Sequence, residues 1–147
     1  MDKFHKDKAL DFAMEFFVKE GGVDFLGYSV FYAAENGAYG YNIVAPQQQL
    51  LQRIDIDPTL LRSLIDYHKE HLALTTYHGP VGIDMLKTSD GNIHPCIEIN
   101  LRMNMGILAI LLEKQGYDTG FHHLTEPREH GFEAIVDEGK LMITYKK

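Results

Sequence analysis

Between Ile97 and Met103, apolar and polar side chains alternate without a break: Ile97, Ile99, Leu101 and Met103 form one set, Glu98, Asn100 and Arg102 the other. A strand repeats its side-chain direction every two residues, so this stretch reads as a strand with one apolar and one polar face. The tract Thr88-Ser89-Asp90-Gly91-Asn92 before it is a turn signal. Upstream of that turn, Ile83 and Met85 flank Asp84 in a second alternating run, Val81 to Lys87. A hairpin centred near Gly91 sets Asp84 opposite Glu98, both on the polar side.

The rest of the chain alternates strand and helix signals. Leu10 to Val18 reads as a strand, with helix as the rival reading, and Gly21-Gly22 breaks it. Phe25 to Ala33 reads as a strand; Glu35-Asn36-Gly37 is a turn, and Tyr39 to Val44 returns. A short helix fits Pro46 to Ile54. Asp57-Pro58 opens a longer one, with Asp at the N-cap and Pro at the first helical position, running to about His71 or Ala73. Ile93 to Met103 is the returning strand of the hairpin, and Asn104 caps a helix from Met105 to Gln115 that is apolar on nearly every side and so expected to be buried. Phe132 to Val136 and Leu141 to Tyr145 form a terminal hairpin about Asp137-Glu138-Gly139. Short-turn strands with helices between them imply an α+β domain on a largely antiparallel sheet with packed helices, one domain over residues 1–147.

Composition narrows the function classes. A formal charge of −7 argues against a general nucleic-acid surface. One cysteine permits no internal disulfide and fits a reducing cytoplasm. The charged start, Met1 to Lys8, is not a signal peptide, and no apolar run is long enough to span a bilayer, so no membrane partner is expected.

The polar face of the hairpin carries the chemistry. Asp84 and Glu98 supply carboxylates and Asn100 an amide oxygen. These are hard ligands suited to Mg²⁺, which leaves its remaining positions to water or phosphate oxygens. Facing carboxylates repel across a sheet, and a divalent cation removes that repulsion. Arg102 can bind a phosphate or an acyl phosphate, and the helix start at Asn104 adds N–H groups that favour an anion. A solvated strand face with unremarkable polar residues is the plain alternative.

Gly82-Ile83-Asp84-Met85-Leu86, then Glu98-Ile99-Asn100-Leu101-Arg102, then Met105-Gly106, resembles the signature of the ATP-grasp superfamily. Pro95 to Arg102, Asp11 to Phe16, Leu26 to Phe31 and Gly37-Ala38-Tyr39 are similar to a Bacteroides-like bacterial subgroup of it. The resemblance covers about residues 9–116, leaving 117–147 as a terminal loop and hairpin. It departs at Gly40-Tyr41-Asn42 and at Met103-Asn104. It implies the C-terminal large lobe of an ATP-dependent ligase that joins a small-molecule carboxylate to an amine or thiol through an acyl phosphate. Asp84, Glu98 and Asn100 would hold Mg²⁺, and Arg102 would act catalytically on the transferred phosphoryl group. Asn104 and Glu15 would serve on the cofactor side, with ATP. The smaller lobe of such enzymes does not fit before Asp11, so the lobe is expected to need an upstream lobe or a partner chain and to be inactive alone. The rival expectation is a non-enzymatic module that forms a homodimer or binds another protein through an apolar patch.

Other features read more plainly. His68 and His71 share a helix face, but no third zinc ligand lies at a familiar spacing, and His122-His123 and His130 lie far along the chain. Cys96 reads as a small buried hydrophobe rather than a nucleophile. Phe12, Phe16, Phe17, Phe25, Phe31 and Tyr32 read as core. Glu15 is equally consistent with a functional acid and with the wet face of a strand.

Overall fold

Twelve consecutive residues, Lys8–Lys19, form the central strand β1, and the alternation within them sorts the two faces of the molecule. The computed structural model describes residues 7–33, 39–115, 122–123, 131–137 and 140–146. Strands β2 (Gly22–Ala33), β3 (Tyr39–Val44), β4 (Gly79–Thr88), β5 (Ile93–Asn100) and the two-residue β6 (His122–His123) complete one sheet, ordered β5-β4-β1-β2-β3-β6. Every pairing in it is antiparallel. Strands β7 (Gly131–Asp137) and β8 (Lys140–Lys146) form a separate antiparallel hairpin, as the terminal turn signal implies. With helices α1 (Gln47–Ile54), α2 (Pro58–Ala73) and α3 (Met105–Lys114), the architecture is α+β on an antiparallel sheet.

Phe12, Met14, Phe16 and Val18 of β1 point to one face and are buried with Val30, Val81, Ile83 and Met85 beneath α1 and α2. Asp57 accepts a hydrogen bond from Thr59 N (2.7 Å) at the start of α2, and Pro58 sits in its first turn, so the cap and the proline act as the sequence implies. At the other end of α1, Lys87 Nζ donates to the carbonyls of Ile54 (3.0 Å) and Asp55 (2.9 Å). A cation on the last carbonyls of a helix satisfies groups that the helix itself cannot, and here it ties α1 to β4.

The opposite face is covered differently. Helix α3 packs over β2 and β3, burying Gly106, Ile107, Ala109 and Ile110 and leaving Leu111 exposed. It is therefore a surface helix with one buried stripe rather than the wholly buried rod that its apolar sequence implies. Phe17 and Tyr32 are likewise exposed: Phe17 lies on this second face, and Tyr32 lies near the end of β2 on the face of Val30. The turn at Glu35-Asn36-Gly37 and the glycine after α3, Gly116, lie outside the described residues.

A bulge tunes the centre of the sheet. Glu15 pairs with Gly27 and Phe16 with Phe25, leaving Leu26 as an extra residue. The shift puts Phe25 and Tyr28 on the same core face, where their rings meet edge to face at 5.1 Å. Gly27 has φ +147°, and a Cβ there would stand 2.8 Å from Gln47 Oε1. The Gln47 amide instead bonds both backbone groups of Tyr28, accepting at 2.7 Å and donating at 2.9 Å.

Strand β5 stops at Asn100, three residues short of the alternation in the sequence. Its last partner is Gly82 of β4. The chain then turns through Leu101, Arg102 and Met103 so that Asn104 can cap α3. The period-two pattern therefore runs past the end of the strand, and Arg102 lies on a turn.

Candidate metal and phosphate site

Asp84 of β4 is the register partner of Glu98 of β5, as expected, but by another route. The pairs beside the turn, Lys87 with Ile93 and Leu86 with His94, would set Asp84 against Cys96, and a bulge between Asp84 and Leu86 moves Glu98 into place. Pairing extends this into two rows of side chains on the face that α3 partly covers. Ser29, Ala13, Asp84 and Glu98 form one row, and Gly27, Glu15, Gly82 and Asn100 the next. The rows run from the covered centre of the sheet to its open edge. Glu15 is 2% exposed, Asp84 is intermediate and Glu98 is exposed.

At the edge, Asn100 Nδ2 donates to Asp84 Oδ2 (3.3 Å), and Arg102 Nη2 donates to Asn100 Oδ1 (3.4 Å). Arg102 Nη1 also reaches the Met103 carbonyl at 3.4 Å. Asp84, Asn100 and Arg102 thus form a chain of contacts with Glu98 alongside. Burial pushes the Asp84 carboxyl up to about 6, and the facing Glu98 adds to it, while Asn100, then Arg102 further down, pull the other way. A carboxyl in that condition gains from a bound cation, since the cation offsets both the desolvation and the like charge.

At the centre, Glu15 accepts from Ser29 Oγ at 2.9 Å and from Asn104 Nδ2 at 2.9 Å, one donor on each oxygen. Its carboxyl is raised from 4.5 to about 7, chiefly by burial; the two hydrogen bonds lower it and Asp84 raises it further. The other end of the Asn104 side chain accepts from Ile107 N (3.0 Å), making it the N-cap of α3. Glu15 is therefore not a wet-face residue. Its outward direction on the strand leads under α3 rather than into water.

The remaining sequence candidates are dispersed. His68 is buried and donates from Nε2 to the Pro95 carbonyl (3.0 Å), where β5 bulges, while His71 donates from Nδ1 to Tyr67 O (2.8 Å). Both rings serve backbone carbonyls. Cys96 is exposed rather than buried, because it sits in that bulge on the edge strand. Burial and the Asp84 charge raise its thiol above the usual value, which disfavours a thiolate. An apolar recess of about 270 Å³ lies on the other side of the molecule, lined by Tyr28, Leu61, Arg62 and Ile65 among others. Sequence reasoning did not identify Ser29, Gly82 and Gly106 as parts of the Glu15 setting; only the pairing register brings them together.

Among the described residues, no group of three or more His, Cys, Asp or Glu side chains is placed to hold a metal ion. At the edge the carboxylates of Asp84 and Glu98 face one another, while Asn100 turns Nδ2 to Asp84 and Oδ1 to Arg102. The two carboxylates fit a cation that completes its shell with water or phosphate oxygens, and the Asn100 oxygen would join them if its amide turned over. No helix among the described residues is long and apolar enough to cross a membrane. No protein-family model matches this chain, and no curated protein matches it significantly.

Proposed function

We propose that this chain supplies the magnesium- and phosphate-facing lobe of an ATP-dependent ligase of the ATP-grasp type, acting on a carboxylate through an acyl phosphate. The observation that carries the reading is the register of Asp84 against Glu98, with Asn100 bonded to Asp84 and Arg102 to Asn100. The resemblance of Glu98-Ile99-Asn100-Leu101-Arg102 and the upstream Asp84 to the superfamily signature gives that cluster its chemical meaning.

On this reading Asp84 and Glu98 would hold Mg²⁺, with Asn100 joining them once its amide turns Oδ1 from Arg102 toward Asp84, and the ion would supply charge neutralisation to bound phosphate. Arg102, on the turn after β5, would offer its guanidinium to phosphoryl oxygens. The exposure of Glu98 at the edge supports the reading, and Glu15, buried at the centre of the sheet, stands apart from that edge. The chain's own work is orientation and charge neutralisation. Calorimetric titration of Mg²⁺ with ATP tests the proposal: Glu98→Gln and Asn100→Ala should each weaken the nucleotide-dependent heat strongly. Unchanged heats in both variants would refute the ligand assignment.

A second reading has an observation of its own. Ile97, Ile99, Leu101 and Met103 are each 51% exposed along the sheet edge and the turn after it. A second copy of the chain laid against this row would remove its apolar surface from water. A self-associating module of this kind predicts a dimer in sedimentation that Ile99→Lys abolishes. A monomer at all concentrations would eliminate it.

A further inference from the structure

We infer that Glu15 is a positioning residue: seated between Gly82 and Gly106, its carboxyl fixes the Asn104 side chain, and Asn104 in turn fixes the start of α3 and the turn that carries Arg102. The seat is built from three separate pieces of chain. A Cβ on Gly82 would meet Asn104 Nδ2 and stand 2.7 Å from Glu15 Oε2, and a Cβ on Gly106 would collide with Glu15 Oε1 and Ser29. Neither glycine has a positive φ, so neither is required by its backbone; each leaves space that the carboxyl and its partners occupy.

Burial of a carboxyl costs free energy that an apolar residue of the same volume would not. What the carboxyl provides is direction. Asn104 has one amide group with two ends, and both are used: Nδ2 on Glu15 and Oδ1 on the Ile107 N–H. An asparagine free to rotate could cap the helix with several side-chain orientations. With Glu15 in place, only the orientation with Nδ2 inward satisfies the buried acceptor. Three residues separate Asn104 from Asn100, so fixing one end of the turn limits where Arg102 can stand. The two contacts of Arg102 are both long, at 3.4 Å, and do not by themselves define its place.

The inference rests on the reading of Asp84, Glu98, Asn100 and Arg102 as a cation and phosphate site, and its test separates the two. The full chain is titrated with Mn²⁺ in the presence of inorganic triphosphate, followed by electron paramagnetic resonance. The Asn104 side-chain amide and the Ile107 backbone amide are followed by NMR. Glu15→Met keeps the volume and removes both acceptors; Glu15→Gln keeps an acceptor for Asn104 and can donate to Ser29 Oγ. Glu15→Met and Asn104→Ala should each weaken Mn²⁺–triphosphate binding by roughly tenfold. The double variant should be no weaker than either single one, the sign of a shared path. Glu15→Gln should restore binding to within about twofold of wild type, with the Asn104 and Ile107 signals near their wild-type positions. Losses that multiply in the double variant, or Asn104 and Ile107 signals unmoved by Glu15→Met, would overturn the inference. Should Glu15→Met not fold, the signals in Glu15→Gln and Ser29→Ala decide it: displacement of Asn104 in Ser29→Ala but not in Glu15→Gln supports it, and displacement in Glu15→Gln alone defeats it. Glu98→Gln is the control for the underlying reading. If that variant binds Mn²⁺–triphosphate like wild type, the metal site is wrong, and the NMR signals still decide whether Glu15 holds Asn104.

Discussion

Asn104 Nδ2 donates to Glu15 Oε2 over 2.9 Å, joining residues that lie 89 positions apart in the chain. The bond links the centre of β1 to the first turn of α3. It makes one buried carboxyl answerable for where a surface helix begins. Around it stand neutral donors, Ser29 and Asn104, and the nearby charge of Asp84, which is of the same sign.

Stability should therefore fall as pH rises through the Glu15 titration. Its carboxyl ionises near the ordinary value of 4.5 when unfolded and at about 7 when folded. Below 4.5 both states hold the proton. Between 4.5 and 7 only the folded state holds it, so the unfolded state gains with each step of pH, by on the order of 3 kcal/mol in total. Asp84, raised from 3.8 to about 6, adds to the same trend over the lower part of the range. Denaturant unfolding from pH 4 to pH 8 checks this: the decline should shrink in Glu15→Gln, and at pH 8 that variant should equal or exceed wild type. An identical decline in both would place the titration elsewhere.

Asn104 has two jobs that two substitutions separate. Asn104→Ala removes the cap and one donor to Glu15, and should cost about 2–3 kcal/mol, the sum of a lost cap and a half-satisfied buried acid. Asn104→Asp keeps a good capping oxygen but sets a second carboxyl against Glu15. Its deficit should be large at pH 8 and relieved at pH 5, where the pair can share a proton. A pH-independent deficit in Asn104→Asp would mean that the cap alone matters.

The glycine seat should be selective. Gly82→Ala and Gly106→Ala each place a methyl group against Glu15 and its partners, and overpacking of this kind costs about 1–3 kcal/mol. Gly22→Ala meets nothing within 4 Å and has no positive φ, so it serves as the neutral comparison. Thermal unfolding of the three variants reads the difference. Equal midpoints would contradict the packing described for Glu15.

His68 should oppose the Glu15 trend. Burial depresses its imidazole below the usual 6.5, with His71 adding to this and the Pro95 carbonyl pulling back. A base whose folded pKa is lowered contributes stability above its unfolded pKa and loses it as pH falls below 6.5. His68→Gln, which cannot gain charge, should flatten that part of the stability profile between pH 6.5 and 5. A profile unchanged by the substitution would show that His68 does not titrate differently on folding.

Much of the fold was legible because its signals are local. Asp57-Pro58 and Asn104 are caps whose function depends on residues two or three positions away, and the turn at Thr88 to Asn92 joins β4 to β5. The bulge between Asp84 and Leu86, which no local signal marks, brings Glu98 rather than Cys96 opposite Asp84. Illegible features depend on distant partners. Strand β5 ends at Asn100 although β4 continues to Gly79, because the chain turns away there for Asn104 to cap α3, so Arg102 leaves the strand while its sequence continues to alternate. Leu111 is exposed because α3 covers only part of a sheet face, which no single-helix pattern reveals. Glu15 looked like one polar residue in an apolar strand. Its role depends on Gly82, Ser29, Asn104 and Gly106, which come from three other elements, and only a spacing of small residues across them could have hinted at the seat.

The most direct measurement is paramagnetic broadening of NMR signals on addition of Mn²⁺. Broadening falls steeply with distance and maps the ion onto the residues that hold it. The central claim predicts that signals of Asp84, Glu98 and Asn100 vanish first, followed by Arg102, and that Glu98→Gln abolishes the pattern. Broadening centred on other acidic residues, with Asp84 and Glu98 still sharp, would contradict it.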